Sequence, residues 1–219
     1  MNTNVGTSTR AIVINNVLRN TYQLLSATLL FSGLMAYLSM SLNLPHFGFL
    51  ITLGGYFGLL YLTNKFKNSS YGILAVFALT GFMGLTLGPI IGMYTSVFSN
   101  GSELVAMAMT GTGAIFLALS FYAITSGKDF SFMSGFLTAG ILVAFLAGIA
   151  AYFFAIPALS LTVSAAFILL MSGLILFETS NIIHGGETNY IMATVTLFIS
   201  IYNLFLSLLQ LLGVFSGED

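Results

Sequence analysis

The chain has no cysteine and no tryptophan. Without cysteine there is no disulfide framework and no thiolate metal site, and the redox compartment leaves no mark. Charge is nearly as scarce. Charged residues are 5% of the 219, against about 25% in an ordinary soluble domain. The net charge of −1 excludes a basic face for nucleic acid. So few charges cannot coat a water-soluble globule of this length, and lipid must cover it instead.

What the chain has in abundance is apolar. Hydrophobic residues reach 58% and the mean hydropathy is +1.02. Asn, Thr and Ser dominate residues 2–9, and no apolar run follows until Leu24, so the start does not read as a cleaved signal peptide. Residues 1–20 read as a short polar tail on the cytoplasmic side. Its second half, with Ile12, Val13, Ile14, Val17 and Leu18, either lies on the membrane surface or frays.

A spanning helix needs roughly 20 apolar residues. Seven runs approach that length: 21–42, 47–64, 71–96, 104–125, 131–154, 158–180 and 190–213. The breaks between them are short and polar or carry proline, as at Asn43-Leu44-Pro45-His46 and Ile156-Pro157. The pattern predicts an all-α membrane protein. Its single seven-helix transmembrane domain covers 21–213, and a short outer C-terminus covers 214–219.

Lysine and arginine set the orientation. Arg10 and Arg19 precede the first span, Lys65 and Lys67 follow the second, and Lys128 follows the fourth. With seven spans these segments share one side, and the opposite loops carry no lysine or arginine. The basic side is cytoplasmic, so the N-terminus is predicted inside and the C-terminus outside.

Two stripes stand out within the spans. Gly81, Gly84, Gly88 and Gly92 are spaced 3, 4 and 4, which puts them on one face of the third span. Gly54 and Gly58 repeat the pattern in the second. Such faces let helix backbones approach closely in lipid. In the last span Thr196, Ser200, Asn203, Ser207 and Gln210 fall within an arc of about 80°. A polar seam of that length avoids lipid. It places the last helix inside the bundle, facing other helices or a wet cavity.

Glu178 is the one charge inside an apolar span. Burying an ionised carboxylate costs of order 3 kcal/mol on insertion scales, and the nearby helix C-terminus also disfavours negative charge. A proton- or cation-linked role and a neutral, hydrogen-bonded acid both fit. Glu187 stands before the last span, where a helix N-terminus welcomes a carboxylate. His184 lies between the two, followed by Gly185-Gly186, a pair suited to a tight turn. No HExxH pattern occurs and His46 falls on the other side, so neither metal nor cofactor is expected. No Ser-His or paired-Asp arrangement points to an enzyme.

Particular strings carry a resemblance. They are Val17-Leu18-Arg19-Asn20-Thr21-Tyr22, Gly81-Phe82-Met83-Gly84-Leu85-Thr86-Leu87-Gly88-Pro89-Ile90 and Lys128-Asp129-Phe130-Ser131-Phe132. The most specific is Phe177-Glu178-Thr179-Ser180-Asn181-Ile182-Ile183-His184-Gly185-Gly186-Glu187-Thr188-Asn189-Tyr190. Together they resemble the Bax inhibitor 1 family over roughly residues 16–213, most closely its bacterial YccA-like branch. The resemblance implies a seven-helix bundle whose last helix is surrounded by the other six. For that branch it implies an inner-membrane protein that binds and restrains the membrane AAA protease FtsH. For other members it implies a pH-sensitive leak for calcium or protons, built around paired aspartates in spans six and seven. Glu178 matches the acidic position in span six. Ser200 stands where the second carboxylate would fall. Two close carboxylates titrate as a pair, and Glu178 with Ser200 cannot. The modulator is therefore the first expectation and the leak the alternative.

Overall fold

The computed structural model describes residues 3–217, with side chains from Ile12 onward. Among these residues regular structure is helical throughout. The helices are α1 (Thr3–Ser41), α2 (Phe49–Phe66), α3 (Tyr71–Val97), α4 (Gly101–Ser126), α5 (Ser134–Phe154), α6 (Pro157–Ile183) and α7 (Tyr190–Ser216). One 3-10 turn, Ser131–Met133, precedes α5.

Local chemistry fixes the ends. Gly127 follows α4 in the left-handed conformation, with φ 60, where a side chain would be strained. Pro157 occupies the first turn of α6, where its missing N–H costs nothing, and Ile156 before it is extended. Asp129 accepts the N–H of Ser131 at 2.8 Å and shapes the entry to α5. Residues 3–20 are helical and continuous with the first span. No proline or glycine interrupts residues 7–32, so nothing there stops the helix.

Among the described residues six helical segments are long and apolar enough to cross a membrane. They are Ile12–Ser41, α3, α4, Ser131–Phe154, α6 and α7, which makes this a multi-pass membrane protein. The remaining helix, α2, has 18 residues and ends in Asn64-Lys65-Phe66, and it falls short of that measure.

The chain divides into two compact units. The first runs from α1 to Ser96 and includes Gly185–Phe198. The second comprises Val97–His184 and the chain from Ile199 onward.

In the first unit α1 lies on the glycine face of α3. A Cβ at Gly81 would strike the Phe31 ring, one at Gly84 the Ser32 carbonyl, and one at Gly88 the Ser39 side chain. Residue numbers rise together along both helices, so the pair runs parallel. Ser39 Oγ donates to Leu85 O at 2.8 Å across the contact. Phe31 also meets Phe77 edge-on, with centroids 5.3 Å apart. The pair read as a packing face in α2 behaves differently. A Cβ at Gly54 or Gly58 would meet nothing within 4 Å, whereas one at Gly55 would strike the Phe82 ring. The packed face of α2 is thus displaced by one residue from the face its spacing suggests.

In the second unit α6 packs between α4 and α5. Gly173 lies against Leu137, Gly140 against Leu170 and Gly148 against Val163, so α5 and α6 run antiparallel. Asn100 Nδ2 donates to Ser216 Oγ at 2.7 Å, joining the start of α4 to the end of α7.

Candidate functional site

The last helix collects the polar side chains. From Tyr190 to Gly213 none of its residues is exposed, a property no other helix has over such a length. Ser200 is fully buried, Ser207 is buried, and Thr196, Asn203 and Gln210 are partly so. Asn203 Nδ2 donates to the Ile199 carbonyl of its own helix at 2.9 Å. Gln210 instead reaches α6. Its Oε1 accepts from Ser164 Oγ at 2.7 Å, and its Nε2 donates to Ser160 Oγ at 2.6 Å. Both ends of the amide are thereby satisfied by serines one helical turn apart.

Glu178 sits in the last turns of α6 and is 5% exposed. Thr179 and Ser180 beside it are also buried. Ser180 joins the end of α6 to the loop after α4. Its Oγ donates to Lys128 O at 3.0 Å and accepts the N–H of Phe130 at 3.1 Å. His184, the residue after α6, continues this joint. Nδ1 lies 2.8 Å from Ser180 O and Nε2 lies 3.2 Å from Gly127 O. Asp129, in the same loop, is held below the ordinary carboxylate value of 3.8. The cause is first the Ser131 N–H, then the Ser131 hydroxyl, with His184 adding a smaller attraction.

Before α7 the chain forms a second joint, within the first unit. Asn189 Oδ1 accepts the N–H groups of Ile191 at 3.1 Å and Met192 at 3.0 Å, which caps α7. The same amide donates through Nδ2 to Lys67 O at 3.1 Å and Asn68 Oδ1 at 2.9 Å. Glu187 Oε1 accepts the Asn189 N–H at 2.6 Å. The carboxylate thus orients the residue that caps α7. Among the described residues no three of His, Asp and Glu come together as a metal would require.

An apolar last helix with a polar seam follows the most specific string in the sequence, and within that string lie a buried acid near the end of the sixth helix and the residues that tie two loops to it. Residues 14–217 match the family described as inhibitor of apoptosis-promoting Bax1. The chain belongs to the Bax inhibitor 1 family. Within its relatives, a protein of Escherichia coli strain K12 named modulator of FtsH protease YccA is 51% identical over 211 residues. That covers 96% of this chain and 95% of the relative. Another of Escherichia coli O6:H1, with the same identity and coverage, is named inner membrane protein YccA. An uncharacterized protein of Pseudomonas aeruginosa is 51% identical over 206 residues, 94% of this chain and 92% of its own.

Several residues of this Bax inhibitor 1 chain have roles that the sequence reading passed over. Asn189 carried a usable signal, because an Asn directly before an apolar run is a helix N-cap pattern. Ser160 and Ser164 carried a weaker one, as two hydroxyls a turn apart in an apolar span. Ser39 and Ser180 carried none. Their partners are backbone groups of other elements, and no spacing rule reports those.

Proposed function

We propose that this chain is an inner-membrane modulator that binds the membrane AAA protease FtsH and restrains its proteolysis. The observation that carries this reading is the 51% identity, over 96% of the chain, to a protein named as that modulator. In this reading the chain spans the membrane seven times, with α7 at the centre and the N-terminus inside. The absence of any exposed residue from Tyr190 to Gly213 supports a central α7. At 1.5 Å per residue α2 is about 27 Å long, close to the roughly 30 Å hydrocarbon thickness. Lys65 at its end can extend its ammonium to the headgroups. Counting α2 as a span puts all five Lys and Arg on one side. The loops on that side are short, so residues 1–20 are what a cytoplasmic motor can grip.

The test is co-purification of the tagged chain from gently solubilised membranes, with an unrelated seven-span protein as control. Specific recovery of FtsH supports the reading, and its absence in several mild detergents with intact protein removes it. Deleting residues 2–10 should lengthen the protein's lifetime in protease-positive cells. An unchanged lifetime removes the tail from the mechanism.

A second reading rests on Glu178, an acid buried in a membrane helix. It is a proton- or calcium-linked leak in which Ser200 and Asn203 line the path. Liposomes holding the purified protein should then pass calcium in a pH-dependent way, and Glu178→Gln should abolish that dependence. Flux unaltered by the substitution counts against a role for this acid.

A further inference from the structure

Charge is unevenly shared along the chain. The first unit holds the basic residues Arg10, Arg19, Lys65 and Lys67 and a single acid, Glu187. No acid occurs in the sequence before Glu103. Glu187 already turns Oε1 to the Asn189 N–H. Most of the counter-charge for these cations therefore comes from outside the chain.

Lys65 and Lys67 bracket Phe66, where α2 ends and the turn to α3 begins. α3 starts at Tyr71 and is long and apolar enough to cross the membrane, which puts this corner at the bilayer boundary. Its backbone is fixed from behind. Ser69 N–H donates to Phe66 O at 2.9 Å, Gly72 N–H to Ser69 O at 2.9 Å, and Asn189 Nδ2 to Lys67 O at 3.1 Å. The side chains gather around Phe66. Lys65 Nζ lies 5.9 Å from the centre of its ring, and the exposed Tyr71 ring meets it with centroids 6.2 Å apart. Lys65 is exposed and Lys67 half-buried. Among the described residues neither ammonium has a hydrogen-bond or ion-pair partner, and neither does the Tyr71 hydroxyl. An aromatic pair at headgroup depth, flanked by two ammoniums and a phenol, offers hydrogen-bond donors and positive charge to an oxyanion.

We propose that the α2–α3 corner binds the phosphodiester headgroup of an anionic phospholipid, with Lys65 and Lys67 supplying charge and Tyr71 a hydroxyl donor. A zwitterionic headgroup brings an ammonium of its own and gains less from two lysines. A free phosphate shares the headgroup chemistry but has no acyl chains. Those chains lie along the apolar face next to Tyr71, where Ile73 and Leu74 are exposed. The inference is independent of the protease reading and of which leaflet the corner faces.

Fluorescence quenching by brominated lipid tests it in the full chain. The protein has no tryptophan, so Leu74→Trp places a lone reporter on the exposed face about one turn from Tyr71. In phosphatidylcholine vesicles, brominated phosphatidylglycerol should be preferred there over brominated phosphatidylcholine by about fivefold for each lysine. Lys65→Gln and Lys67→Gln should each remove about that factor, and together they should abolish the preference. Lys65→Arg keeps the charge and should keep the preference. Val97→Trp, exposed at the other end of α3, should show none. Equal quenching by the two lipids at Leu74→Trp overturns the proposal, as does a preference that survives the double substitution. Should the double variant fail to fold, salt decides with both lysines in place. The preference should shrink as salt is raised, and one indifferent to salt overturns the site. A site for free anions would show no lipid preference, and inorganic phosphate would raise the denaturation temperature in phosphatidylcholine above that in chloride of equal ionic strength. That pair of results overturns the lipid assignment.

Discussion

Ser39 Oγ donates to the carbonyl of Leu85, and Leu85 stands four residues before Pro89. In an unbroken helix that carbonyl would accept the N–H of residue 89, which proline lacks. A hydroxyl from α1 therefore supplies the donor that α3 cannot. In lipid no water is available to do so.

Replacing Ser39 by alanine should cost about 1 kcal/mol of stability in micelles or bicelles. In a Pro89→Ala background, where residue 89 regains its N–H, the same substitution should cost clearly less. Reversible unfolding of the four proteins measures this as a double-mutant cycle. Equal costs in both backgrounds would sever the relationship.

The glycine face of α3 should tolerate substitution unevenly. A Cβ at Gly84 would meet the Ser32 backbone, which cannot turn aside. Gly84→Ala should thus push α1 away and cost about 1–3 kcal/mol. A Cβ at Gly92 would meet only the Met40 side chain at 3.8 Å, and alanine is the better helix former. Gly92→Ala should be neutral or mildly stabilising. Thermal denaturation of the two proteins in one detergent gives the ranking, and equal losses would contradict the packing described.

Asp129 should make the loop after α4 sensitive to acid. Its ionised form is favoured in the folded chain, so its contribution is present above the ordinary carboxylate value. That contribution is lost as pH falls through the lowered folded value. Exchange of the Ser131 amide should therefore quicken below about pH 4, after correction for intrinsic rates. Asp129→Asn retains an acceptor for Ser131 and should remove that acid dependence. An acid limb that persists in D129N would point to another group.

Asn189→Ala should cost about 1 kcal/mol through loss of the α7 cap. It should also loosen a distant segment, residues 67–70, whose tether is the same amide. Amide exchange there separates the two effects. Protection unchanged at 67–70 would mean the loop holds itself.

Much of the fold was legible because lipid imposes a length. Seven apolar runs became seven helices, with most ends within a few residues of the breaks at Pro45, Ser70, Gly127 and Pro157. The glycine spacing of α3 was legible as well, but its partner was not. Between helices in lipid there is no hydrophobic pattern to pair faces, so α1 could not be named, and in α2 the packed residue proved to be Gly55. The helical state of residues 3–20 was obscured by their polarity, although nothing there breaks a helix. In the candidate site, Glu178 and the seam of α7 stood out as polar groups in apolar runs. Ser180 and the carbonyls of Gly127 and Lys128 did not, because a backbone acceptor looks the same in every sequence.

The two ties in the first unit also differ in when they can form. Ser39 and Leu85 are 46 residues apart, while Asn189 and Lys67 are separated by 122. During synthesis the Ser39 hydroxyl precedes the carbonyl that needs it. The Lys67 carbonyl must wait until the start of α7 has been made. A nascent chain stalled before the last helix would hold α1 against α3 with its α2–α3 loop still untied, and that loop would be the place to detect incomplete assembly.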